Sequence, residues 1–227
     1  MKIYYTKIEQ FPEMETILKF LPTERIEKAA RMKNEKSQQQ SAAAGLLLEY
    51  AFREMGFSGS RLTFLKNADG KPYVKELSNV YYNLTHAGEC AALVIDKYPV
   101  GIDIEETKER SRKLAERFFS EEEKECLLKQ WSDEAFTRFW TRKESFLKAT
   151  GFGMRMPLDA FSTVKEKVEV NEKMPTDMVE MADLYYIEST SLEEGLWLSV
   201  CRKDVPFVNV EQYCVKKSMN EMIQALL

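Results

Sequence analysis

Hydrophobic and polar positions alternate well enough through the opening Met1-Lys2-Ile3-Tyr4-Tyr5-Thr6-Lys7-Ile8 to predict a strand. Beyond Pro22 the pattern becomes helix-forming over 23–53, with Gly56 as a stop and Asn34 as a place where two helices can be divided. Asp69-Gly70-Lys71-Pro72 is a turn signal. It precedes two β-rich runs, 80–84 and 90–95, which Thr85-His86-Ala87-Gly88 joins into a hairpin. After Pro99, Val100-Gly101-Ile102-Asp103-Ile104-Glu105 predicts a strand, followed by a charged helical stretch as far as Arg117. Ser120-Glu121-Glu122-Glu123 has the form of a capping box, and Ser132-Asp133-Glu134 opens another helix that Gly151 and Gly153 end. Runs at 161–170, 184–189 and 196–202 predict strands, and an apolar, basic segment follows. Helices and strands occur on both sides of Pro99, so the expected fold is α+β, built as two similar halves, 1–99 and 100–227.

Composition narrows the class without changing this plan. The aromatics are plentiful, Gly and Pro sparse, and a net charge of −4 argues against a general nucleic-acid binder, which needs a basic surplus to neutralise phosphates. Cys90, Cys126, Cys201 and Cys214 are scattered without a C-x-x-C pair, which fits reduced thiols rather than a zinc site or disulfide framework. No apolar leader opens the chain, and its longest strongly apolar run, 90–95, is too short to span a bilayer. A cytoplasmic protein that does not enter a membrane is expected.

The candidate chemistry starts in the strand after Pro99. A period of two puts Asp103 and Glu105 on one face and Ile102 and Ile104 on the other. Adjacent carboxylates raise each other's pKa unless a cation lies between them, and Mg²⁺ favours one or two such ligands together with phosphate oxygens. The alternative is an exposed strand face with two solvated acids. In the helix 136–150, Phe136, Phe139, Trp140, Phe146 and Leu147 share one arc, at about 100° per residue, and should face the core. Glu144 and Lys148 flank that arc at a spacing that equally suits an ordinary ion pair. Lys143 falls inside it, where its stem can be buried while its ammonium reaches water or a carboxylate. His86, the single histidine, follows Thr85 at a strand end, and the small Ala87-Gly88 beside them leaves open backbone for an anion. Arg25, Lys28 and Arg31 project from one side of a helix, as a solvated face or as a phosphate-binding group.

Taken in order, G-K-P, N-L-T-H-x-G, G-I-D-I-E and, about forty residues later, W-x-x-K-E-S-F-x-K resemble the 4′-phosphopantetheinyl transferase family in its two-lobed, Sfp-type branch. The resemblance covers 70–153, more weakly the N-terminal helix, and little beyond Phe161. It implies a pseudo-dimer of two α+β lobes with coenzyme A in the cleft between them. Asp103, Glu105 and Glu144 then match ligands of a Mg²⁺ that also binds the coenzyme pyrophosphate, and Lys148 matches a lysine on that pyrophosphate. Thr85 and His86 match a phosphate-contacting pair, Lys71 and Pro72 a coenzyme-binding turn, and Arg25 and Lys28 basic residues around the 3′-phosphate. Threonine stands at 85 where many relatives have serine, and Gln38-Gln39-Gln40-Ser41 stands where an arginine is expected. The implied activity is that of a holo-acyl-carrier-protein synthase type enzyme. It moves phosphopantetheine from coenzyme A to a serine of an apo acyl or peptidyl carrier protein, with Glu144 and Lys148 catalytic and a single chain able to act as a monomer. The rival readings are another Mg²⁺-dependent enzyme of nucleotides or pyrophosphates, and a non-catalytic module that binds coenzyme A or carrier protein.

Overall fold

The computed structural model describes residues 1–9, 11–58, 61–182 and 184–227. It is an α+β protein in which two antiparallel-rich sheets lie between helices. Strands β1 (Lys2–Lys7), β4 (Tyr81–Ala87) and β5 (Cys90–Asp96) form the first sheet with β11 (Cys214–Lys216), in the order β11-β1-β5-β4. Strands β6 (Val100–Glu106), β9 (Tyr185–Glu193) and β10 (Leu196–Lys203) form the second, in the order β6-β10-β9. Small hairpins pair β2 (Phe64–Lys66) with β3 (Pro72–Val74), and β7 (Phe161–Ser162) with β8 (Glu169–Val170).

The period of two decides how the sheets stack. In the first sheet Tyr4, Ala91, Leu93 and Ile95 face the helix α3 (Glu35–Glu54), in one core with Leu46, Leu47 and Phe52. Their neighbours Ile3, Ala92 and Val94 face the other way, onto Val100, Ile102, Leu198 and Val200 of the second sheet. The outer face of that second sheet receives α6 (Asp133–Thr150), where Phe146, Leu147 and Ala149 meet Ile187 and Cys201. Each fully buried Phe or Leu in these layers contributes on the order of 1.5–3 kcal/mol. One glycine sets the closeness of the last pair of layers. A Cβ at Gly101 on β6 would collide with the Ser145 carbonyl and the Ala149 backbone, so strand and helix touch main chain to main chain.

Capping chemistry places the helix ends where the sequence pointed. Asn34 caps α3, its side chain accepting from Ser37 N at 2.8 Å, and so separates α3 from α2 (Thr23–Ala30). Ser120 and Glu123 form the capping box of α5 (Glu121–Lys129), while Ser132 starts α6 and Gly151, at φ +81°, ends it. The charged stretch before them is shorter than expected, with α4 spanning Arg112–Phe118. Four features carried no clear sequence signal: α1 (Met14–Leu18), the β2–β3 pairing, the helix at Thr176–Ala182, and the C-terminal return. There β11 runs parallel to β1, and α8 (Met219–Leu226) inserts Met219, Met222, Ile223 and Leu226 into the first core. The remaining helix, α7 (Thr176–Ala182), packs Met178 and Ala182 into the second. Residues 214–226 thus return to the first sheet and its helix layer. No helix among the described residues is long and apolar enough to cross a membrane.

Candidate active site

The edges of β4 and β6 meet where the Asn83 side chain accepts a hydrogen bond from Ile102 N at 2.9 Å. Above that junction lies a cavity of about 410 Å³, lined from β6 by Asp103, Ile104 and Glu105 and from α6 by Trp140, Glu144 and Lys148. Leu84, Thr85 and His86 of β4, Arg25 and Lys28 of α2, and Ser41 and Ala44 of α3 complete it. Eight of the expected site residues, drawn from 25 to 148 along the chain, thus share one wall or the other.

The acidic wall is only partly neutralised, by Lys148 at Asp103 and by Arg110 at Glu105. Asp103 is 4% exposed, and its Oδ1 accepts from Lys148 Nζ at 2.6 Å and Thr85 Oγ1 at 3.1 Å. Its Oδ2 is buried with no hydrogen-bond partner. Burial raises the Asp103 pKa although Lys148 and Thr85 oppose the shift. Burial also raises Glu105 and Glu144, and the Asp103 charge adds to both shifts. The ordinary Glu144–Lys148 ion pair that their spacing equally suits is not the one formed. Lys148 turns to Asp103, the more deeply buried carboxylate and the one with most to gain from a counter-charge.

The opposite wall lacks negative charge. Burial lowers the pKa of Arg25, and burial together with Arg25, Lys66 and Lys148 lowers that of Lys28. His86 is held below its usual value by desolvation and by the charges of Lys28, Lys148 and Arg25, so it is neutral at pH 7. Arg25 donates to the Ser41 carbonyl at 2.8 Å, but its Nε and the Ser41 hydroxyl are both buried without a partner. Arg31 does not join this wall; it pairs with Glu27 on the exposed side of α2. A cavity with a proton-hungry acid wall facing a depressed basic wall suits a ligand that carries both a cation and phosphate anions.

Against this geometry the comparisons decide the family. The family described as the 4′-phosphopantetheinyl transferase superfamily matches residues 99–201. The 4′-phosphopantetheinyl transferase Sfp of Bacillus subtilis (strain 168) is 28% identical over 225 residues, covering 93% of this chain and 99% of that protein. The transferase ffp of Bacillus subtilis is 29% identical, with 91% of this chain and 95% of that one covered. The transferase psf-1 of Bacillus pumilus is 31% identical over 172 residues, 73% of this chain and 72% of that protein. The chain belongs to the 4′-phosphopantetheinyl transferase superfamily.

In this member of the superfamily Lys71 and Pro72 are not brought into the main cavity. They line a neighbouring cleft of about 300 Å³ with Asn83, Glu144, Leu147, Lys148 and Gly151, and the Lys71 ammonium is spent on backbone carbonyls. Lys143 is buried along its whole length, and its ammonium reaches Glu123 at 2.6 Å rather than water. Phe139 and Trp140 are half-buried against the cluster around Phe119, so the aromatic arc of α6 divides between two clusters. Among the lining residues, Trp140 was expected only to face the core, and Ser41, Ala44 and Leu84 were assigned no role in the site. The W-x-x-K-E spacing marked Trp140, and the departure at residues 38–41 marked Ser41. Next to Ser41, Gln40 donates to the Gly88 carbonyl and braces the turn after His86.

Among the described residues no three carboxylate, imidazole or thiol groups are drawn together closely enough to grip a metal unaided. The donors nonetheless fit a hard divalent cation. They are carboxylate oxygens, one of them, Asp103 Oδ2, is buried and unpartnered, and burial raises the pKa of all three acids, with the Asp103 charge adding to the shifts of Glu105 and Glu144.

Proposed function

We propose that this chain transfers the 4′-phosphopantetheine group of coenzyme A to a serine of an apo carrier protein, with Mg²⁺ as its metal. Family membership carries the reading, and the pairing of an acidic and a basic wall in one cavity supports it. Asp103, Glu105 and Glu144 would hold the Mg²⁺, which when bound neutralises charge that develops on the pyrophosphate oxygens. Arg25, Lys28 and His86 bind the phosphates of the adenylate portion. Lys148, already the cation nearest the acids, orients the pyrophosphate and stabilises the departing phosphate. The serine oxygen forms a bond to the β-phosphorus while the bond from that phosphorus to the bridging oxygen breaks, and 3′,5′-ADP leaves. Glu144, whose pKa is raised by burial and by the Asp103 charge, takes the serine proton directly or through a water.

Acyl carriers of a holo-acyl-carrier-protein synthase reaction and peptidyl carriers are both acceptors within this reading, in a cytoplasmic setting. The two-lobed division also belongs to it, with residues 1–99 and the returning β11 and α8 as one lobe and 100–207 as the other. Both walls come from one chain, which supports a monomeric enzyme. The test is intact-protein mass spectrometry of apo carrier proteins incubated with the enzyme, Mg²⁺ and coenzyme A. A gain of one phosphopantetheine mass, absent in Asp103→Ala and Glu144→Ala, supports the assignment. Tight coenzyme binding with no gain across acyl and peptidyl carriers overturns it in favour of a binding module.

A further inference from the structure

Lys71 is a buried cation with no carboxylate among the charges that act on it, and burial lowers its pKa to about 8. Such a group is costly to keep, and a methionine of similar shape would avoid the desolvation. Its surroundings show what holds it there. Nζ donates to Ala149 O on α6 at 2.5 Å and to Val100 O on β6 at 3.1 Å. Ala149 is one of the carbonyls that a helix leaves unpaired at its C-terminus, where a cation also meets the negative end of the helix dipole. The lysine stem crosses Gly151, whose missing Cβ would sit 3.4 Å from Lys71 Cβ and Cδ.

The turn that presents Lys71 is itself fixed. Asn67 Oδ1 accepts from Asp69 N at 3.0 Å and Lys71 N at 2.9 Å, Gly70 adopts φ +84°, and Asp69 pairs with Arg155 beyond the end of α6. One ammonium from the first sheet's side of the molecule therefore joins the two elements that carry the carboxylates. Val100 lies three residues before Asp103, and Ala149 follows Lys148. It also closes the β6–α6 pair at the end where Gly101 lets the two backbones touch.

We propose that Lys71 is a positioning residue whose ammonium pins β6 to α6, fixing Asp103 relative to Glu144 and Lys148, rather than a ligand of the coenzyme. The inference rests on the transferase reading for its kinetic arm only. Lys71→Met and Lys71→Arg are compared with wild type for kcat and for KM of coenzyme A, and separately for Mn²⁺ affinity by paramagnetic resonance and coenzyme A affinity by calorimetry. Displacement of the carboxylates predicts that Lys71→Met lowers kcat by about ten- to a hundredfold and weakens Mn²⁺ binding, with coenzyme affinity and KM unchanged. Lys71→Arg, which can still donate to both carbonyls, restores part of each loss, and it alone decides the question if the methionine variant does not fold. Loss of coenzyme affinity with kcat and Mn²⁺ binding intact overturns the proposal, as does a variant equal to wild type in every parameter. A wild-type enzyme that modifies no carrier defeats the transferase reading instead, and the Mn²⁺ arm still reports on Lys71.

Discussion

A carboxylate as deeply buried as that of Asp103 stays ionised only where compensating charge and hydrogen bonds are supplied. Lys148 and Thr85 serve one of its oxygens and nothing serves the other, so the side chain is half-satisfied. A ligand that completes this arrangement binds the folded state alone and stabilises it by mass action. Mg²⁺ with coenzyme A should therefore raise the wild-type melting temperature by a few degrees at saturation, about what one or two kcal/mol produces in a chain of this size. In Asp103→Asn, differential scanning fluorimetry should show no Mg²⁺ component. His86 offers a test of the opposite wall. Its folded pKa lies below the ordinary 6.5, so as the pH falls the unfolded chain takes up this proton first. Stability that His86 allows at neutral pH is then lost progressively below about pH 6.5, until the folded pKa is passed. Urea midpoints measured at about pH 7.5 and about pH 5.5 should fall further for wild type than for His86→Gln. Equal falls would mean that the imidazole is not held neutral.

At the scale of elements, α6 is tied on three sides by buried cations. Lys71 reaches its C-terminal end, Arg142 donates from α6 to Thr163 O at 2.6 Å and Lys165 O at 2.5 Å, and Lys143 donates to Leu158 O, Phe161 O and Glu123. Glu123 is itself satisfied by Ser120 and by the Thr163 amide and hydroxyl, which makes the Lys143–Glu123 pair the centre of a closed polar network. Removing one partner strands the other. Lys143→Met is expected to cost about 3–5 kcal/mol, and Lys143→Met combined with Glu123→Leu less than the sum of the two single changes. Denaturant titrations of the three variants check this, and simple additivity would count against a coupled pair. The same elements show what the sequence could and could not reveal. Helix limits at Asn34, Ser120, Ser132 and Gly151 were legible because each depends on a side chain or a positive φ within a few residues of itself. The carboxylates and Lys148 were legible by spacing, whereas the partners of Lys71, Lys143 and Lys148 lie 78, 20 and 45 residues away and are set by packing. The short α1, β2 and β3 escaped for a related reason. Elements of three to five residues gain their stability from the neighbours they rest on and not from their own pattern.

The whole molecule is closed by its last residues. Four buried side chains of α8, together with the parallel strand β11 beside β1, complete the first core. Deleting 214–227 would strip that core and leave β1 as an open sheet edge. The truncated chain should be degraded by protease at concentrations the full chain resists, whereas resistance equal to wild type would make β11 and α8 an appendage. The pairing of β1 with β11 also has a consequence for biosynthesis. The strand made first waits for a parallel neighbour made last, the longest loop closure in the chain, while 100–207 has its own sheet and helix in hand much earlier. On the ribosome, then, the second sheet can assemble before the first has all its strands, and a nascent chain stalled ahead of residue 214 carries an exposed, half-built template to which chaperones or other chains can attach.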